Sequence, residues 1–431
     1  MKMQVSFTKV IKTLTLAFAM MLTVKAHAQV LGPSVQEVKY SYTATFEIPD
    51  DAGEQNDQDR AHFHASHLFG LFHTPAMVKK MGLPTGLGGI GAPRTQMKIK
   101  ILKSEVIGNV VSVTYSNSGK MLLHKIAAQN LIEAGIFEVP MPTDPYSIYD
   151  EKCTDEHYNS FGDYWYFYDI FKTNCKYLGK APYAQIVAIA IKPSEHKKMQ
   201  TLLQLPLLRG DNGNGNLFSA YVIHGYESDP KDKEDSGRIN FEEFNVYLRD
   251  NMFHEEKEKS PGASTLLVFK KEIKLDNGKT IQVEIKHLLV ATEIDSRSKV
   301  FAKFFKEAVE NADVIVYGGH SGLGGNLDIP LLEEKAGAFE FNAKKKQIFF
   351  FDSCSSYSYY LEEFAIEKTK AKIDVVTNGL SSYFYTSNIL LTTFMDQLLS
   401  TNSKDVLWSD VLQGMEDHLD GDSYLLNVGG I

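Results

Sequence analysis

The chain has 431 residues, of which 43% are hydrophobic and 23% charged, and its formal net charge is −9. Those proportions are ordinary for globular proteins and exclude a collagen-like or low-complexity chain, and the length suggests two or three domains. The acidic balance, with no run of five or more basic residues, argues against nucleic acid as a partner.

At the amino end, Lys2, Lys9 and Lys12 precede the short apolar stretch TLTLAFAMMLTV and the small-residue site Ala26-His27-Ala28. Residues 1–28 therefore read as a secretory signal peptide cleaved near Ala28, which implies a periplasmic or secreted protein. The apolar stretch is too short to span a bilayer, no cysteine follows the cleavage site to carry a lipid, and no later segment reads as a membrane span. Loss of Lys2, Lys9, Lys12 and Lys25 takes the net charge from −9 to −13, a balance that suits basic substrates or calcium.

Residues 29–204 read as a smaller α+β domain. VKYSYTATFEI alternates like a strand, and DQDRAHFHASHLFGLFH reads as a helix with Asp57 or Asp59 near its start. TQMKIKILKSEV and NVVSVTYSN follow as a strand pair, LLHKIAAQNLIEAG as a helix stopping at Gly135, YAQIVAIAIKPS as a buried strand and SEHKKMQTLLQ as a helix. Cys153 and Cys175 flank the aromatic stretch HYNSFGDYWYFYDIF. In an oxidising compartment they are expected to pair, closing a loop worth about 3 kcal/mol in the chain-entropy model. The third cysteine, Cys354, is then left over as either an inert core residue or a reactive thiol.

Residues 205–216 carry the Asn/Gly-rich tract LRGDNGNGN and read as a linker. Its Arg-Gly-Asp tripeptide is a weak adhesion signal. From 217 to 431 strands alternate with helices, as in a mostly parallel α/β sheet sandwiched by helices. LFSAYVIHG, HLLVATEI, DVIVYGG, KQIFFFDS and KIDVVTNG read as strands. INFEEFNVYLRDNMF, SRSKVFAKFFKEAVENA (capped by Ser296), SYYLEEFAIEK and two segments near 387–400 and 407–418 read as helices, and VFKKEIKLDNGKTIQVEIK as a hairpin turning at Asn277-Gly278.

The segment DVIVYGGHSGLGG ends an apolar run in a turn carrying His320 and Ser321. The nucleophile elbow G-x-S-x-G needs a small residue two past the serine and a helix starting there. Leu323 occupies that place and breakers follow it, although Asp374 and His418 succeed Ser321 in triad order. A serine hydrolase using Ser321 therefore stays as an alternative. The preferred pairing is His320 with Cys354, each just past an apolar run that suits a buried parallel strand. In open α/β sheets ligands bind beyond the carboxyl ends of the strands. Neighbouring strands lie about 4.8 Å apart, so two side chains leaving them at one level can share a substrate. A cysteine thiol is only a few per cent thiolate at neutral pH, and a histidine raises that fraction or protonates the leaving amine.

A strand ending in Gly-His followed by a strand ending in Asp-Ser-Cys-Ser resembles the caspase-like cysteine peptidases, and FFFDSCSS is similar to the metacaspase and clostripain branches. The resemblance covers about residues 217–431. It implies a caspase-like fold, with Cys354 as nucleophile, His320 as catalytic histidine and the amides of Ser321 and Cys354 as the oxyanion hole. It also implies that Asp352 lines the primary specificity pocket, so that cleavage follows Arg or Lys in a peptide or protein substrate; the bland role for Asp352 is a strand-end cap. The family usually has His-Gly where this chain has His320-Ser321-Gly322, and a catalytically inactive binding module is the other alternative. The dyad itself needs no cofactor.

The stretch DKEDSGRINFEE resembles the calcium loop D-x-[DN]-x-[DN]-G-x5-E, with Asp232, Glu234, Ser236, Arg238, Asn240 and Glu243 at the ligand positions. Its plainer reading is a polar turn entering a helix, and calcium dependence is common in the clostripain and metacaspase branches. His62, His64, His67 and His73 share one helix, but no acidic or cysteine partner is placed for zinc. GLGGIG (Gly86 to Gly91) follows no strand and reads as a loop, and AKKKQ before the Cys354 strand as a solvated turn or a self-cleavage site.

Overall fold

The computed structural model describes residues 29–49, 56–84, 88–94, 97–146, 182–194, 201–211, 213, 215–226, 229, 231–257, 262–294, 298–368, 372–419 and 424–430. The signal peptide, Cys153, Cys175 and the aromatic stretch between them lie outside the described residues.

The alternating pattern after residue 35 produces a long strand. After the short β1 (Val30–Leu31), β2 (Val35–Pro49) leads to α1 (Asp57–Phe72) and α2 (Pro75–Lys80), then β3 (Gly91–Pro93), β4 (Lys98–Ile107) and β5 (Val110–His124). α3 (Lys125–Ala134), β6 (Ile136–Pro142) and β7 (Ala184–Pro193) complete this half. β2 and β5 pair antiparallel in register from Val35–His124 to Pro49–Val110. β4 and β3 add to β5, and β7 and β6 follow on the other side of β2. One face, with Phe46, Val113, Val139 and Ile189, packs on Leu68 and Phe72 of α1 and Leu131 of α3. α1 is capped by Asn56, whose Oδ1 accepts the Asp59 N–H at 2.9 Å, which satisfies one of the orphan donors of the first turn. β7 is half-buried rather than buried as expected, with Ile186 62% exposed, because only one face of this antiparallel sheet is covered.

The second half runs β8 (Leu202–Leu203), β9 (Leu217–Tyr226), α4 (Ser236–Asp250), β10 (His254–Lys257), β11 (Thr265–Lys274), β12 (Thr280–Ala291), α5 (Lys299–Asn311) and β13 (Val314–Gly318). It continues through α6 (Ile329–Ala336), β14 (Gln347–Asp352), α7 (Ser356–Tyr359), α8 (Leu361–Ile366), β15 (Ile373–Thr377), α9 (Phe384–Leu399), β16 (Val406–Leu407), α10 (Trp408–Glu416) and β17 (Asn427–Gly429). Among the described residues these form a nine-stranded sheet in the order β1-β17-β15-β14-β13-β9-β12-β11-β10. The five central strands are parallel, and the two strands at each edge are antiparallel. In chain order the parallel strands sit second-first-third-fourth-fifth, which puts the topological switch between β9 and β13.

Both faces of this sheet are covered, as its continuous apolar runs require. Val222, Val316 and Phe350 face α4, α9 and α10 through Phe241, Phe244, Phe394 and Trp408. Ile223, Ile315, Tyr317, Phe349 and Phe351 face α5, α6 and α8 through Phe301, Phe305, Leu332 and Phe364. Val35, Ala92 and Leu122 of the first half join that second core. β1 pairs with β17 and β8 with β16, so sheet membership does not divide at residue 205.

Several local expectations are corrected. Leu202–Leu203 are strand rather than helix. The expected linker is buried at Leu205, Leu208 and Arg209. Arg209 Nε donates to the Leu398 carbonyl at 3.1 Å, so the first residue of Arg-Gly-Asp holds the end of α9 and is not presented for adhesion. The second hairpin strand and HLLVATEI are one strand, β12. Ser298, not Ser296, caps α5 by accepting the Phe301 N–H at 3.1 Å. In AKKKQ, Lys346 is buried against Asp374 at 2.5 Å and Lys345 pairs with Asp313 at 3.1 Å, so the turn is held by ion pairs rather than solvated.

Candidate active site

β13 and β14 are parallel neighbours, and Gly318 pairs with Asp352 at their carboxyl ends. His320 and Cys354 each stand two residues beyond that pair, past the ends of the two adjacent strands. One further bond, Gly319 N–H to the Asp352 carbonyl at 3.3 Å, carries the ladder past the strand ends.

Both side chains meet the segment that opens α9. The His320 ring packs edge-on against Phe384, with centroids 5.3 Å apart and planes at 86°. The Cys354 Sγ lies 3.8 Å from the Ser382 carbonyl oxygen. Cys354 is a half-buried thiol outside any disulfide. Asp352 is buried; desolvation raises its pKa, and hydroxyls of Ser387 and Ser382 oppose that rise. Residues 382–387 therefore face all three of His320, Cys354 and Asp352.

The backbone after His320 is held tightly. Its carbonyl accepts Tyr317 Oη–H at 2.6 Å and Asn326 Nδ2–H at 2.9 Å, and the Ser321 carbonyl accepts Tyr360 Oη–H at 2.8 Å. Gly322 adopts φ +55, and a Cβ there would lie 2.4 Å from Asn326 Oδ1, so no other residue fits this turn without displacing Asn326. Ser321 N–H donates to no group among the described residues.

The serine-elbow geometry is not formed. Residues 322–327 make a 3-10 turn with Leu323 at φ 53, and the next α-helix starts only at Ile329, capped by Asp328. Asp374 is the second residue of β15, at the opposite end of the parallel strands, where it is bound to Lys346 and to Trp408 Nε1 at 3.0 Å. It cannot orient a histidine beside Ser321.

The calcium-loop residues are also arranged differently from expectation. α4 begins at Ser236, so Ser236, Arg238, Asn240 and Glu243 lie along one helix rather than around a loop. Asp232 Oδ1 accepts the Glu234 N–H at 3.0 Å, and Asp235 caps the helix by accepting the Arg238 N–H at 2.9 Å. The early start has a steric cause: a Cβ at Gly237 would sit 1.9 Å from the Gly225 carbonyl oxygen, so glycine lets the first turn dock on the end of β9. Among the described residues no group of three or more His, Cys, Asp and Glu side chains is placed to hold a metal ion, and no helix is long and apolar enough to cross a membrane.

Two clusters near the site had no local sequence signal. Beside Gly318, His224 Nδ1 lies 2.8 Å from His287 Nε2, and His287 Nδ1 lies 2.7 Å from Asn245 Oδ1. The amide oxygen can only accept, so His287 donates through Nδ1 and accepts from His224 through Nε2. The second cluster joins His73 to Ser355, with Nε2 and Oγ 3.1 Å apart and 282 residues between them in sequence.

Compared with known proteins, the sequence matches no family model and no curated protein.

Proposed function

We propose that the chain is an exported, caspase-like cysteine endopeptidase in which Cys354 is the nucleophile, His320 the acid–base partner and Asp352 the group that selects Arg or Lys before the scissile bond. The observation that carries this reading is that β13 and β14 are parallel neighbours paired at Gly318–Asp352, with His320 and Cys354 each two residues further on. It is supported by the contacts both side chains make with Ser382 and Phe384 and by the second-first-third-fourth-fifth order of the parallel strands.

The chemistry follows from these groups. The Cys354 thiolate attacks the scissile carbonyl carbon, forming a C–S bond as the carbonyl electron pair moves to oxygen. The N–H groups of Ser321 and Cys354 stabilise that oxyanion, each donor being worth roughly 3–4 kcal/mol. The C–N bond then breaks, and the leaving amine takes its proton from His320. Water, deprotonated by His320, attacks the acyl-enzyme, breaks the C–S bond and releases the acid and the thiol. A substrate guanidinium or ammonium brought beside Asp352 would counter the desolvation that now raises its pKa.

The test is cleavage of Arg- and Lys-terminated fluorogenic peptides by the wild type, Cys354→Ala and Ser321→Ala. The expected result is loss of cleavage with Cys354→Ala only. Loss with Ser321→Ala alone would overturn the cysteine mechanism. No wild-type cleavage of any peptide, with a thiol that resists alkylation, would favour the inactive binding module. Preference for Asp- or Asn-terminated peptides would remove the role given to Asp352.

A further inference from the structure

The amino-terminal half reaches the residue that follows Cys354. Ser355 is buried and adopts φ +52, ψ 32, the left-handed region that costs a residue with a Cβ about 1–2 kcal/mol. Its N–H donates to the Leu380 carbonyl at 3.0 Å, and its carbonyl accepts the Ser358 N–H at 2.8 Å. Its hydroxyl meets His73 Nε2 at 3.1 Å, and His73 Nδ1 lies 2.8 Å from the Phe69 carbonyl oxygen. The Phe69 and Gly379 carbonyls both act on the imidazole as acceptors, and Nε2 shares a hydrogen bond with the Ser355 hydroxyl, which can serve as donor or acceptor. The imidazole is itself fixed by the end of α1, and both partners are buried, so this contact is shielded from competing water.

We propose that His73 is a positioning residue for Cys354: through its hydrogen bond with the Ser355 hydroxyl it holds the left-handed turn that sets the thiol opposite His320. The proposal rests on the cysteine-peptidase reading for its purpose, but its geometry is independent of it. The amino-terminal half then completes the site rather than merely preceding it. In chemical terms, loss of the bond lets Ser355 relax toward right-handed backbone and swings Cys354 out of line with the imidazole.

The test reads the thiol directly. Iodoacetamide alkylation of Cys354, followed by mass spectrometry of its peptide between pH 5 and 10, is compared for the wild type, His73→Ala, Ser355→Ala, Ser355→Gly and the pair His73→Ala/Ser355→Gly. His73→Ala and Ser355→Ala are expected to slow alkylation at pH 7 at least fivefold and to move its pH midpoint up toward that of an ordinary thiol. Glycine adopts the left-handed turn without strain, so the paired variant is expected to match Ser355→Gly alone. His73→Gln, which retains a hydrogen-bonding group near the Nε2 position, is expected to lie between the wild type and His73→Ala. Unchanged alkylation in both His73→Ala and Ser355→Ala overturns the proposal, as does a full His73→Ala effect in the Ser355→Gly background. If His73→Ala does not fold, Ser355→Ala and Ser355→Gly decide it alone. The peptidase reading fails separately, when the wild type cleaves no peptide yet these alkylation differences persist.

Discussion

On α1, which packs on the six-stranded sheet, a histidine is sealed inside: His64 donates Nε2–H to the Pro142 carbonyl at 2.8 Å and accepts the Tyr115 hydroxyl at 2.7 Å. In the nine-stranded sheet His320 stands past its strand, half-buried, with its ring edge-on to Phe384. The first ring has both nitrogens occupied within the fold and is held neutral, since burial pushes its pKa down from 6.5 to about 3. The second sits where a parallel sheet opens to ligands. The same residue type thus serves packing in one half and, on the proposed reading, proton transfer in the other. The difference lies in placement: one ring is on the buried face of a helix, the other just past the carboxyl end of a parallel strand.

The sharpest way to break that contrast is to exchange the losses. His320→Ala is expected to lower kcat/KM for basic peptides by roughly 10²–10⁴ with little change in stability. His64→Gln is expected to leave kcat/KM within a fewfold while lowering stability by about 1–3 kcal/mol, through its unpaired partners. Peptide cleavage and urea unfolding on both variants check the pair, and equal kinetic losses would erase the distinction.

Next in size are the two cores. Phe46→Ala in the first and Phe350→Ala in the second should each cost about 3–5 kcal/mol. Because Val35, Ala92 and Leu122 are shared with the core of the larger sheet, both variants are expected to unfold in a single transition seen alike by fluorescence and circular dichroism. Two separated transitions would show that the halves are energetically independent.

The smallest expected effect is on pH dependence. Burial lowers His64 to about 3, His67 to about 4 and His224 to about 3. The unfolded chain protonates these rings as pH falls through about 6.5 while the fold keeps them neutral, so the unfolded state binds more protons and stability declines from about pH 6.5 toward 4. Burial raises Asp313 to about 6, Glu363 to about 7 and Glu416 to about 7. These carboxyls bind protons in the fold first and offset part of the loss as pH falls below 7. His64→Gln removes one of the acid-sensitive groups, so its urea midpoint is expected to drop less than that of the wild type between pH 7.5 and 4.5. An equal drop would mean that His64 titrates normally in the fold.

The parallel strands were legible because IFFF and VIVY are apolar at every position, which only a sheet buried on both faces demands. The runs marked where His320 and Cys354 follow their strands, but that β13 and β14 are neighbours was only a condition of that reading, and the structure supplies it. β12 was read as two pieces because His287 interrupts its apolar pattern; its partners His224 and Asn245 come from other elements. β10, β17 and β1 are two to four residues long, too short for alternation to register. The capping aspartate before α4 and the tight seat of Gly237 are steric facts of a docked helix, and they changed an expected cation loop into a first helical turn. His73 and Ser355 carried no mutual signal at all, since only the assembled fold brings them together.

β1 also bears on how the molecule is made. Val30 pairs with Val428, and Gln29 Nε2 donates to Asn427 Oδ1 at 2.9 Å across 398 residues. The first described strand is seated by one of the last, so this edge can close only once nearly the whole polypeptide is present in one compartment. Closing so long a loop is entropically costly and is offset by a two-residue ladder, the Gly32 N–H to Leu426 carbonyl bond at 2.8 Å, the Ser34 hydroxyl to Glu416 bond at 2.9 Å and the burial of Val30 in the larger core. The two ends of the polypeptide are thus fastened to each other, like a clasp closed after the garment is on.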